Sequence, residues 1–124
     1  AVAATLGDCL RMDETGVYAL AVGIGNAHGL YAAAPVLRYD ILEELRGKLR
    51  AALVLHGGSG LTKEQFIRLI ALGMVKINIA TEIFMAAAGA RSSGDLFGQI
   101  ASSRNAVRDV VAAHIRLFGS EGRA

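Results

Sequence analysis

The sequence predicts an α/β fold in which parallel strands alternate with helices. Three observations point there. Apolar runs at residues 17–24, 51–55 and 74–79 have strand length, and amphipathic stretches with helical spacing lie between them. Each run ends in a polar, glycine-bearing or Asn/Thr-bearing loop. The leading polar residues of those loops, His28, His56 and Asn78, stand 28 and 22 positions apart, the length of a βα unit.

Taken in order, residues 3–14 read as a helix that Thr15-Gly16 stops. Residues 17–24, Val-Tyr-Ala-Leu-Ala-Val-Gly-Ile, form a continuous apolar run, as in a strand buried on both faces. A loop over 25–35 follows. Ile41, Leu42, Leu45 and Leu49 mark a helix over 39–50, with Asp40 as its expected N-cap. Residues 51–55 are the second strand, ending at His56. Thr62 and Gln65 have capping-box spacing, and the helix they open carries Phe66, Ile67, Leu69, Ile70 and Leu72 before Gly73 ends it. Residues 74–79 are the third strand, 82–88 begin a helix, Ser92-Ser93-Gly94 reads as a linker, and 96–118 close the chain as a long amphipathic helix. Met74, Phe84 and Met85 read as core.

A length of 124 residues suits one domain, so residues 1–124 read as a single partial barrel domain. Right-handed crossovers between parallel strands bring all their C-terminal ends to one rim. In a (β/α)8 barrel that rim bears the active site, and the last strands commonly hold phosphate. Three strands cannot close a barrel. The chain is therefore expected to be the last part of a larger one, units six to eight, and the missing initiator Met leaves room for a start inside a longer protein.

Composition narrows the function classes. The chain is 53% hydrophobic with a formal net charge of +2, its charges interspersed. No basic block interleaved with aromatics suggests a nucleic-acid surface. No apolar stretch approaches the ~18 residues of a membrane span, and no secretory signal is recognisable at the start. The single cysteine, Cys9, cannot form an internal disulfide and fits a reducing cytoplasm, where it reads as a small buried hydrophobe.

The chemistry concentrates on the three loops. Imidazole binds divalent metal, and His28 and His56 stand at equivalent places after successive strands, each followed by glycine. Taken singly, either could be a strand-end histidine bonded to a carbonyl. Gly57-Gly58-Ser59-Gly60 sits between an apolar strand and a capped helix, where backbone N–H groups and the helix dipole favour an anion. Leu61 rules out a G-x-S-x-G elbow, and His28 stands where the third glycine of a dinucleotide fingerprint belongs. Asn78 and Thr81 add polar contacts on the same rim, although strand-end residues of this kind are commonly turn formers. Glu82 reads as a helix-start residue favoured by the dipole, and His114 as a packed or solvated residue of the last helix. A catalytic zinc usually has three protein ligands, and only two well-placed histidines are present.

Residues 19–31 (ALAVGIGNAHGLY), 53–60 (LVLHGGSG) and 76–82 (KINIATE) closely resemble the class II, metal-dependent ketose-bisphosphate aldolases that act on fructose and tagatose bisphosphates. The ending 118–124, FGSEGRA, also looks like that family's C-terminus. The resemblance implies that His28 and His56 are two of three zinc ligands. It also implies that Gly29 and the loops Gly57, Gly58, Ser59 and Asn78, Ile79, Ala80, Thr81 hold the dihydroxyacetone phosphate half of a phosphorylated ketose. A monovalent cation often sits near the phosphate in such enzymes. The implied reaction is reversible aldol cleavage of a ketose 1,6-bisphosphate to dihydroxyacetone phosphate and glyceraldehyde 3-phosphate, in the cytoplasm and with a homo-oligomer as the full-length form.

The family's Asp-His pair, which supplies the catalytic acid/base and the remaining zinc ligand, has no counterpart here, nor does its mobile-loop glutamate. Tyr18 stands where an aspartate is common, and Ala52 where a proline is usual. Weak zinc binding and negligible turnover are expected of this chain alone. The alternatives are a non-catalytic metal- or phosphate-binding half-barrel that dimerises to cover its sheet, and a metal-free phosphate-binding barrel enzyme.

Overall fold

The computed structural model describes residues 2–29, 31–33, 35–90 and 94–123. Their elements run α1 (Leu6–Glu14), β1 (Ala19–Ala21), α2 (Tyr39–Leu45), β2 (Ala52–Leu55), α3 (Lys63–Ala71), β3 (Met74–Ile77), α4 (Thr81–Gly89) and α5 (Leu96–Leu117). Two compact units divide the chain, residues 1–79 with the sheet and 80–124 with the last two helices. Ser92 and Ser93, the centre of the expected linker, lie outside the described residues.

In the first unit the strands lie side by side in the order β1-β2-β3, all parallel. Ala19, Leu20 and Ala21 face Ala52, Leu53 and Val54. Between β2 and β3 the register shifts: Leu53 faces Met74, but Val54 faces Lys76, leaving Val75 as an extra residue in β3. The core forms on the face lined by Val22, Leu53, Leu55 and Met74, and α2 and α3 add the fully buried Leu42, Leu45 and Leu69. Burial of such side chains, each worth roughly 1.5–3 kcal/mol, is the main term holding helices this short in place.

The other face is largely uncovered, although Val54 on it is buried. Ala19 and Ala21 are exposed, contrary to the expectation of a strand buried on both sides. In a barrel that face is filled by side chains from strands across the interior, and three strands supply too few of them. Parallel pairing, flanking helices and the open inner face together define part of a (β/α)8 barrel.

Local chemistry explains the element ends. Thr5 caps α1 by accepting from the Asp8 N–H at 3.2 Å. Thr62 and Gln65 form the expected capping box at α3. Asp40 does not cap α2: Arg38 occupies the N-cap and pairs with Asp40 in the first turn, at 2.5 Å. Helix α2 also stops at Leu45 rather than at residue 50, because Arg46 turns extended and Gly47 takes a φ of +72°. Asp13, at the end of α1, is buried and accepts from the backbone N–H of Ala51 (2.7 Å) and Arg50 (3.0 Å), fixing where β2 starts. Those N–H groups, that of Ala51 foremost, hold its carboxyl below the usual aspartate range. Cys9 is buried as expected, and burial pushes its thiol up, away from the reactive thiolate.

In the second unit α4 packs along α5, with the Ser103 hydroxyl donating to the Ala87 carbonyl at 2.9 Å. Phe84 and Met85 are exposed, not core as their apolar character suggests. Neither α4 nor α5 holds a fully buried residue among those described, so two helices alone cover too little surface to sequester these side chains. His114 is packed: Nδ1 lies 2.9 Å from the Val110 carbonyl, Nε2 lies 3.5 Å from Glu82, and its ring meets Phe118 edge-on. No helix among the described residues is long and apolar enough to cross a membrane.

Candidate metal and phosphate site

Parallel pairing brings the C-terminal ends of β1, β2 and β3 to one edge, and the loops that leave them meet there. His56 follows β2 directly, and His28 stands in the seventeen-residue connection between β1 and α2. Their ring centroids are 5.5 Å apart and the planes cross at 71°. Two imidazoles on one tetrahedral zinc, with Zn–N near 2.0–2.1 Å and a ring centre ~1.1 Å beyond the nitrogen, place their centres about 5.2 Å apart. The observed centroid spacing is close to that value. Among the described residues no third histidine, cysteine, aspartate or glutamate joins the pair.

Asn78 completes this edge. Its Nδ2 lies 3.3 Å from His56 Nε2, and its Oδ1 accepts from Lys76 Nζ at 2.5 Å. The ammonium can only donate, so it selects the amide orientation in which Nδ2 faces the imidazole. In that orientation Nε2 accepts, so the neutral ring carries its proton on Nδ1 and its one lone pair lies on Nε2, where the Asn78 amide meets it.

The glycine loop is held from both sides. Gly57 has a φ of +64°, and a Cβ built on it would stand 2.2 Å from the Ala27 carbonyl oxygen. Gly58 donates its N–H to the Asn78 carbonyl at 3.0 Å, and a Cβ there would meet Ile77 Cγ2 at 2.9 Å. Both glycines serve close backbone approach, and the Gly58 N–H expected to face an anion is occupied by Asn78. Ser59 is buried. Gly29 takes a φ of +97° just after His28. Ile79 closes the first unit, Ala80 is the N-cap of α4, and Thr81 is its first residue, with Glu82 in the first turn as expected.

Three residues of this edge escaped the sequence reading: Asn26, Tyr31 and Lys76. Asn26 Nδ2 donates to the His56 carbonyl at 2.5 Å, and the Tyr31 hydroxyl lies 2.9 Å from the Gly57 carbonyl. The only hint of them was their place inside the matched stretches. At the other end of the strands a cavity of about 290 Å³ is lined by Asp13, Gly16, Val17, Tyr18 and Arg50. Asp13 is already bonded there to backbone and Arg50, so this cavity adds no uncommitted acid.

The chain that carries these two neighbouring histidines and the clamped glycine loop matches a known family over nearly its full extent. The model of the class-II fructose-bisphosphate aldolases matches residues 3–123, and the chain belongs to that family. It is similar to the YdjI aldolase of Escherichia coli K12, with 35% identity and a TM-score of 0.90 over 98% of this chain and 48% of that one. It is also similar to a putative fructose-1,6-biphosphate aldolase from Coccidioides immitis, with 27% identity and a TM-score of 0.89 over 99% and 45%. A fructose-bisphosphate aldolase from Campylobacter jejuni, at 18% identity and a TM-score of 0.59 over 82% and 39%, shares the fold. The chain spans about half the length of the first two of these solved structures.

Proposed function

We propose that this chain is the zinc- and phosphate-binding part of a ketose-bisphosphate aldolase. The reaction is reversible cleavage of fructose or tagatose 1,6-bisphosphate to dihydroxyacetone phosphate and glyceraldehyde 3-phosphate, in the cytoplasm and as a homo-oligomer when complete. One observation carries the reading: the 5.5 Å spacing of the His28 and His56 rings at the ends of adjacent parallel strands.

Zinc, when bound, would supply a Lewis acid that polarises the ketone. His28 and His56 would hold it, with a third ligand and the acid/base carboxylate coming from residues outside this chain. Asn78 orients His56, and with Ile79, Gly29, Gly57, Gly58 and Ser59 it takes the phosphorylated three-carbon half. A monovalent cation beside the phosphate belongs to the same reading.

Cobalt(II) titration followed by visible absorption tests the metal site. The chain should bind weakly, and His28→Ala and His56→Ala should each abolish binding. Mixing with a separately produced first half of such a barrel should raise affinity and restore cleavage. Unchanged cobalt binding in both variants would sink the metal reading. A stable dimer with tight zinc and no cleavage in the assembled pair would favour a non-catalytic module instead.

A further inference from the structure

His28 does not sit on a strand. Its connection between β1 and α2 is longer than most loops in compact domains, and loops of that length need their own fastenings to hold a side chain in register. Two side chains flanking His28 provide them. Tyr31, three residues on, places its hydroxyl 3.0 Å from the Ala27 N–H, which donates to it. The same oxygen lies 3.0 Å from the Ala27 carbonyl and 2.9 Å from the Gly57 carbonyl, so its one proton has an acceptor on each loop. Asn26, two residues before His28, accepts from the Ile24 N–H at 2.9 Å and donates to the His56 carbonyl at 2.5 Å.

These bonds connect the peptide units next to His28 with those at His56 and Gly57. The contact they close is tight, since the Gly57 backbone abuts the Ala27 carbonyl with no room for a methyl group. Neither Asn26 nor Tyr31 needs to reach a metal or a substrate to matter. Each sets where a histidine-bearing backbone lies.

We propose that Tyr31 and Asn26 are positioning residues: together they clasp the two histidine loops and set the separation of the imidazoles before any ion arrives. The metal consequence rests on the function proposed above, whereas the clasp itself does not.

Tyr31→Phe removes the hydroxyl and keeps the ring. In the metal-free 124-residue chain, ring protons of His28 and His56 should show a nuclear Overhauser effect that Tyr31→Phe loses, and the Ala27 amide should exchange at least tenfold faster. Amides of α3 and β2 should keep their protection. Cobalt(II) affinity should fall about 10- to 100-fold with an altered visible spectrum, the usual cost of losing an outer-shell partner. A variant that retains the ring contact, the slow Ala27 exchange and the cobalt spectrum would overturn the clasp, as would wild-type rings that show no contact. If the wild-type chain binds no cobalt yet Tyr31→Phe still frees the rings, the metal reading fails and the clasp stands. If Tyr31→Phe does not fold, Asn26→Asp carries the test. It keeps the acceptor for Ile24 and deletes the donor to His56, and an unchanged ring contact there also overturns the proposal.

Discussion

Replacing Gly57 with alanine strikes the candidate site at its tightest point. The new methyl group would start 2.2 Å from the Ala27 carbonyl oxygen, and the loops must part by about 0.8 Å to bring that contact to 3.0 Å. The residue would also have to keep a φ of +64°, a left-handed conformation that costs an L-residue roughly 1–2 kcal/mol. For a unit of this size each kcal/mol lowers Tm by roughly 4–8 °C. Metal sites tolerate ligand displacements of only ~0.2 Å, so an opening several times larger should cost more than tenfold in affinity. Calorimetry gives the first quantity and a cobalt(II) titration the second. A variant with wild-type Tm and wild-type cobalt affinity would refute the view that this approach of backbones sets the histidine spacing.

Leu42 is fully buried in α2, so Leu42→Ala should cost about 2–5 kcal/mol in urea unfolding of the chain. Thr62→Ala deletes the hydroxyl that caps α3 and should cost about 1 kcal/mol, with earlier fraying seen by amide exchange around Gln65. Asp13 has a depressed native pKa, so its contribution is fully present above the ordinary aspartate value near ~4 and lost as pH falls through the lower native value. Asp13→Asn should therefore flatten the acid limb of the stability–pH curve, and a limb of unchanged slope would contradict that account.

Much of the unit with the sheet was legible because its signals are local. The three apolar runs, the Thr62–Gln65 box and the glycine after each histidine are read within a few residues, and each has its expected counterpart in β1, β2, β3 and α3. The early end of α2 was hidden because Leu49 continues the helical spacing past Gly47, whose left-handed turn prevails. Phe84 and Met85 misled because apolar character indicates that a side chain can be buried, not that a partner surface exists. The fastenings around His28 left no pattern at all. Asn26 reaches His56 and Tyr31 reaches Gly57 across 30 and 26 positions, and no periodicity records a single side chain bonded to a distant carbonyl.

The supernumerary Val75 decides which neighbour His56 has. Had β3 run in even step with β2, Val75 would lie beside Val54 and Ile77 beside His56, setting a branched hydrocarbon against the imidazole. One inserted position slides the strand so that Leu55 meets Ile77 and the amide of Asn78 arrives next to the ring. Pairing Val75 in the ladder instead of bulging it out would leave every apolar run recognisable and yet exchange a hydrogen-bond donor for a methyl group at the candidate metal ligand.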